Sequence, residues 1–270
     1  MIQTGISDFP DALTNEQIEF FQKEFFLTFG RLLTEEELIP LRFAYERAWE
    51  GNPLTQEDGG NAVPGHRSMP MLPQFDQPEL AKLIANDRLL TLAAGALKTT
   101  VDRLEYVGGN LNRQRIQKPW TYEEFGWPGW HQDASPDLDS PKRLNVWLYL
   151  DDCTRDEGVT QALVGSCELQ RENLRAGRAP EQGIDQLQQE QDLPEDGVWA
   201  EAPAGGGFTW TGFLVHRISP NLSGKARRLV TYAYGIQQEV ESHFRDNTTP
   251  DQRAQIADML PPDKRYLVGC

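Results

Sequence analysis

His131-Gln132-Asp133 and, 85 residues further on, His216 are the residues of this chain whose types and spacing could do metal chemistry. In an extended segment the side chains at i and i+2 share a face, so His131 and Asp133 can reach one ion while Gln132 points away. A distant His216 closes that face. Two imidazoles and a carboxylate on one side of an octahedral ion leave three positions open, the arrangement that suits iron(II) oxygen chemistry. The chain has only four histidines (His66, His131, His216 and His243), so two of them are committed by this reading.

The segments around these residues must position them. Gly207 to His216 is an apolar run expected to form one strand that delivers the histidine. A turn-rich stretch, Ser219 to Ser223, follows, and a second strand opens at Arg227-Arg228. Upstream lie a Trp-containing strand, Asn145-Val146-Trp147-Leu148-Tyr149-Leu150, and a turn running from Gly158 to Gly165-Ser166. With Asn221-Leu222-Ser223 and an arginine, Arg227, eleven residues beyond His216, these parts occur in a fixed order over about residues 105–235. In this order and spacing the chain resembles the phytanoyl-CoA dioxygenase-like family of iron(II)/2-oxoglutarate oxygenases.

The resemblance implies a role for each part. His131, Asp133 and His216 would bind iron(II), with 2-oxoglutarate and O2 as cosubstrates. Arg227 would hold the far carboxylate of 2-oxoglutarate, because a planar guanidinium makes two parallel hydrogen bonds to it. Arg228 lies on the opposite face of the same strand and is a surface charge or an ion-pair partner. Trp147 falls where the family has an aromatic near the cosubstrate, although a tryptophan on an alternating strand also serves as plain core. Gln114 is either a lining residue of the cosubstrate pocket or a polar residue on an exposed strand face. The chain departs from the pattern at Ile218, where the family often has a serine, and in the Val164-Gly165-Ser166-Cys167 turn. Iron-dependent halogenases of similar fold carry Gly or Ala in place of the metal carboxylate; Asp133 is retained here, which favours hydroxylation.

Length and charge agree with this reading. A chain of 270 residues suits one catalytic domain. Its net charge of -15 argues against nucleic acid as a partner, because phosphate contacts need clustered Lys and Arg. Three cysteines without metal-ligand spacing, and an N-terminus with no basic region before an apolar core, point to the cytoplasm. No apolar run is long enough for a membrane span.

The expected fold is mainly β with flanking α: a double-stranded β-helix, the cupin-like jelly roll, with N-terminal helices packed on one sheet. Residues 1–100 are read as the helical part. Thr14-Asn15-Glu16-Gln17 and Thr34-Glu35-Glu36-Glu37 form capping boxes, and residues 78–99 are helical with a break near Asn86-Asp87. Residues 51–77 read as a long loop carrying His66, which is a solvated residue or a substrate contact. The jelly-roll core is expected over 101–238. Its strands are Arg103 to Val107, Asn112 to Gln117, Trp130 to Asp133, Arg143 to Leu150, Thr160 to Val164, Gly207 to His216 and Arg228 to Tyr234. Residues 169–196 form a helical insertion, and 239–270 a tail that covers the surface or meets another subunit. The aromatic group Trp120, Tyr122, Phe125, Trp127 and Trp130 either walls a substrate pocket, with Trp127 and Trp130 as contacts, or plugs the barrel end.

The expected function is therefore hydroxylation of a C–H bond in a small molecule, with release of succinate and CO2. Without an evident basic patch, the acidic chain tilts the substrate toward a polar or cationic metabolite. Desaturation, epimerisation or ring closure would use the same cofactors. A metal-binding cupin isomerase or an inactive scaffold would share the barrel, but neither would need Arg227.

Overall fold

Capping boxes start the first two helices. Thr14 and Gln17 exchange side-chain bonds with each other's backbone N–H, and so do Thr34 and Glu37, satisfying donors that a helix N-terminus leaves open. The computed structural model describes residues 5–6, 12–50, 66–70, 76–114, 130–133, 140–177 and 197–270. In chain order the elements are β1 (Gly5–Ile6), α1 (Asn15–Glu24), β2 (Phe26–Phe29), α2 (Glu35–Glu50), β3 (His66–Pro70), α3 (Pro78–Lys82), α4 (Asp87–Ala96), β4 (Leu104–Gln114), β5 (Arg143–Tyr149), β6 (Thr160–Ala162), α5 (Ser166–Arg175), β7 (Val198–Trp199), β8 (Gly207–Trp210), β9 (His216–Ile218), β10 (Arg227–Ile236), α6 (His243–Asp246) and α7 (Pro250–Met259).

Among the described residues the strands form a large sheet, β1-β2-β8-β5-β10-β4-β3, and a small one, β7-β6-β9. All pairings are antiparallel except β1 with β2. Alternation gives the large sheet two different faces. Leu144, Val146 and Leu148 of β5 and Val230, Tyr232 and Tyr234 of β10 pack on the helices, in one core with Tyr45, Leu89 and Leu90. Tyr149, Phe208, Trp210 and Leu229 look the other way and join Ala162, Cys167 and Leu214 in a second core between the two sheets. This is the double-stranded β-helix with helices on one sheet that the sequence led us to expect.

Close strand approach is fixed at Gly207, whose partner on β5 is Leu148. A Cβ there would meet the Trp147 carbonyl oxygen at 1.8 Å, a contact with backbone that cannot swing aside. Gly207→Ala is expected to destabilise the protein by roughly 3 kcal/mol or more, read as a fall in the thermal or urea midpoint.

The structure redraws several elements. Gly207 to His216 is not one strand: Thr211 to Val215 turn the chain, so β8 stays in the large sheet while His216 opens β9 in the small one. Trp130 to Asp133 is not a strand either; His131 makes an isolated antiparallel bridge to His216. The two strands expected at 103–117 are a single strand, β4, kinked where the register shifts opposite Ala233 and Tyr234, with Gly108 at positive φ; residues 115–117 lie outside the described residues. The helical N-terminal part supplies three strands of the large sheet, among them β3 within the expected 51–77 loop. Phe25, which continues the helical spacing of Ile18 and Phe21, is the left-handed C-cap of α1 rather than part of it, and the fully buried run Phe26–Phe29 follows as a strand. The break before α4 falls where expected, with the Asn86 side chain capping that helix. The insertion begins earlier, with α5 at Ser166; residues 178–196 lie outside the described residues. The tail buries Phe244, Ile256, Leu260, Leu267 and Val268 against the helical core rather than merely covering it. No described helix is long and apolar enough to cross a membrane.

Candidate active site

His131 and His216 are brought together by backbone. Each donates its N–H to the other's carbonyl, both at 2.9 Å, while Asp133 N–H bonds the Gly212 carbonyl at 2.9 Å. The Gln132 side chain turns away to donate to the Phe213 carbonyl at 2.8 Å. The two imidazole rings end 4.4 Å apart by centroid. Asp133 reaches both: one carboxylate oxygen lies 3.7 Å from His131 Nε2 and the other 3.9 Å from His216 Nε2. One ligand atom from each residue lies within 4.8 Å of the others, close enough to share one ion. The i, i+2 geometry thus holds in a bridged segment, without a full strand.

His216 is 3% exposed and packs against the Trp210 ring. Burial, reinforced by nearby His131, pushes its pKa down to about 4. It is therefore neutral at physiological pH. Its Nδ1 lies 3.0 Å from the Leu214 carbonyl; a proton on Nδ1 makes that bond and leaves the Nε2 lone pair facing Asp133. This is the tautomer a metal requires.

Arg227 and Arg228 divide between the two faces of β10, as alternation demands. Arg228 binds Asp151, with Nε 2.7 Å from Oδ2, and reaches Glu46 at 3.4 Å. Arg227 shares the face of Leu229 and Thr231 and is 3% exposed. One of its nitrogens donates to the Gly158 carbonyl. Its Nε and Nη2 are buried without a hydrogen-bond partner among the described residues. Beside it stands the buried Tyr149 hydroxyl, on the neighbouring strand of the same face and next to the Cys153 thiol, while the Thr160 hydroxyl, two residues after Gly158, is buried without a partner among the described residues. A buried donor left unpaired costs about 1–3 kcal/mol, so this cluster is shaped for an acceptor. Gln114 and His66 occupy register positions beside Arg227, in the row Arg227–Gln114–His66 across β10, β4 and β3.

A cavity of about 590 Å³ opens beside Asp133, walled by Phe25, Trp147, Trp210 and Phe213 and edged by Asn110, Arg143, Asn145 and Thr231. Trp147 is thus a lining residue with its ring edge-on to Trp210. Trp130 is not: it lies under the Arg217 guanidinium, 4.3 Å from the ring centroid, away from the cavity. Trp127 lies outside the described residues. A larger depression of about 780 Å³ reaches Arg227 but none of the three candidate ligands, and is edged by the mutually paired Arg42, Glu46, Asp151 and Arg228. Sequence reasoning missed Tyr149, Asn145 and Arg143. Alternation from Trp147 would have found all three, whereas Phe213 sits in a turn that carries no such signal.

The family model for phytanoyl-CoA dioxygenase matches residues 73–229, more than half of the chain. The chain belongs to this family. It is accordingly a 2-oxoglutarate-dependent enzyme, with iron(II) as its metal and O2 as the second cosubstrate. Solved structures similar to it include the non-heme alpha-ketoglutarate-dependent carbocyclase SnoK from nogalamycin biosynthesis, at 17% identity and TM-score 0.65, covering 83% of this chain and 84% of that one. The epimerase SnoN of the same biosynthesis is similar at 16% identity and TM-score 0.60, with 81% and 79% covered. HygX from Streptomyces hygroscopicus, solved with nickel and 2-oxoglutarate, is 21% identical with TM-score 0.58, over 90% of this chain and 94% of that one. A comparison with curated proteins finds no match.

Proposed function

We propose that the protein hydroxylates a C–H bond of a small polar natural product or metabolite, using iron(II) held by His131, Asp133 and His216 and 2-oxoglutarate anchored on Arg227. The observation that carries this reading is the pairing of a three-ligand cluster within 4.8 Å with a buried guanidinium whose Nε and Nη2 have no partner among the described residues. Bound there, iron(II) would couple oxidative decarboxylation of 2-oxoglutarate to substrate oxidation, so that substrate, O2 and 2-oxoglutarate give hydroxylated substrate, succinate and CO2. Arg227 accounts for the far carboxylate of 2-oxoglutarate. Tyr149 and Thr160 replace the hydrogen bond that a serine at the Ile218 position would have made. Trp147, Trp210 and Phe213 exclude water from the cavity beside Asp133 and offer flat surfaces to the substrate.

A non-oxygenase cupin has no use for a buried arginine of this kind. Within the oxygenase reading, ring closure and epimerisation are the outcomes named for SnoK and SnoN, and analysis of the product distinguishes them from hydroxylation. HygX has also been solved with hygromycin B bound, a precedent on this fold for a polar natural product.

The test is an anaerobic titration with iron(II) and 2-oxoglutarate, watching the visible metal-to-ligand charge-transfer band of the chelate; absence of the band at saturation overturns the reading. Tyr149→Phe and Thr160→Val are each expected to raise the KM for 2-oxoglutarate by roughly 5- to 20-fold, the worth of one hydrogen bond to a charged group. Thr160→Val should not lower the melting temperature of the free protein, because the hydroxyl removed is unpaired among the described residues, and Tyr149→Phe should lower it little, since it gives up only weak bonds beside the Cys153 thiol. A fall in stability with unchanged KM would return both residues to the core.

A further inference from the structure

We propose that Arg143 is a specificity-determining residue that binds an oxyanion of the substrate, a carboxylate, phosphate or sulfate, at the mouth of the cavity. This rests on the reading of the Asp133 cluster as the reaction centre. Trp147, Asn145 and Arg143 stand on one face of β5, and all three line the cavity that contains Asp133. The row runs from the aromatic wall outward to the guanidinium over about 13 Å, four residues at strand spacing. Arg143 is exposed, yet its guanidinium has no hydrogen bond or ion pair among the described residues, in a chain with 41 acidic residues against 26 basic ones.

The acids beside it do not answer it. Glu239, on the same rim, is taken by Lys142 at 2.7 Å and Arg103 at 2.8 Å. Glu241 also lines the rim but is exposed and makes no pair with Arg143. Desolvation by the surrounding protein lowers the Arg143 pKa below the ordinary arginine value, although the residue as a whole is exposed. A guanidinium presents a planar fork of donors matched to two oxygens of one anion. The Asn110 and Asn145 side chains, on the same wall and free of hydrogen bonds among the described residues, add donors alongside. The mouth thus selects an anionic end, reversing the cationic substrate that overall charge suggested. The rest of such a substrate then extends along the aromatic wall toward the metal ligands.

Matched probes test this. Titration calorimetry would compare 5-phenylpentanoate, its neutral amide 5-phenylpentanamide and 5-phenylpentylamine, with protein held anaerobically with iron(II) and saturating 2-oxoglutarate so that Arg227 is occupied. In the wild type the carboxylate should bind roughly tenfold or more tightly than the amide, the advantage of a charge-assisted bond. Arg143→Met should erase that advantage and Arg143→Lys should keep part of it. Equal affinities, an advantage that survives Arg143→Met, a preference for the amine (which would point to Glu241), or no binding of the carboxylate would each overturn the proposal. The chelate band, read in the same samples, reports on iron and 2-oxoglutarate alone. Its absence would sink the oxygenase reading while the calorimetric comparison still judged Arg143.

Discussion

Replacing His131 by alanine is expected to abolish the chelate band and to lower 2-oxoglutarate turnover by roughly a thousandfold or more. The reason is the donor count. Three protein ligands hold the ion on one side and leave the other for cosubstrate and O2, so the loss of one imidazole opens a fourth position to water and frees the ion to leave. Metal-derived stabilisation amounts to several kcal/mol, and each 1.36 kcal/mol is a factor of ten in rate. The His131 side chain is 15% exposed against 4% for His216, so His131→Ala should leave the fold intact, whereas His216→Ala should also cost stability. Gln132→Ala is the informative neighbour: it removes only the bond to the Phe213 carbonyl, so it should loosen the metal by a factor of roughly 10 and keep the band. A His131→Ala protein with full absorbance and turnover would exclude this cluster as the iron site.

The metal set was legible because its signal is local: two residues at i and i+2 and a third at the end of an apolar run. The backbone that delivers them was not. Gly207 to His216 is buried at every residue but Gly212, and a run without alternation has no periodicity to show where the chain turns; the departure at Thr211 is set by the packing of Phe213 and Leu214 between the sheets. β2 is hidden for the same reason. Phe25 continues the apolar spacing of α1, and only its left-handed conformation ends the helix and starts a strand whose four residues are all buried. Capping boxes, by contrast, carry their own hydrogen-bond partners within four residues, and both starts were found. The division between Arg227 and Arg228 was also legible, since alternation is a property of the strand alone. Tyr149 was open to the same alternation, counted from Trp147, whereas Thr160 comes to stand two residues from the Gly158 carbonyl that Arg227 holds through pairing across the barrel, which only the folded chain shows.

Arg227→Met is expected to separate cosubstrate binding from stability, with opposite signs. In the free protein two guanidinium nitrogens are buried without partners among the described residues, and an uncompensated buried charge is destabilising; an apolar side chain of similar length removes that cost and gives up the bond to the Gly158 carbonyl. The melting temperature of the free variant should therefore equal or exceed that of the wild type. With 2-oxoglutarate the order reverses. Two charge-assisted bonds to a carboxylate are worth about 3–5 kcal/mol together, so the variant's affinity should fall by roughly 10²- to 10³-fold, with the iron(II) affinity little changed. Ligand binding stabilises a fold by about 2.7 kcal/mol at a hundred times Kd, so 2-oxoglutarate should raise the melting temperature of iron-loaded wild type under anaerobic conditions and leave that of the variant nearly unmoved at the same concentration. Arg228→Met supplies the comparison from the other face of β10: it breaks the ion pair with Asp151 and should lower stability without touching the response to 2-oxoglutarate. If the two variants exchanged behaviours, Arg228 rather than Arg227 would be the residue that holds the cosubstrate. A variant Arg227→Met that lost stability and kept its full response would mean that its buried nitrogens serve the core and that another cation takes the far carboxylate.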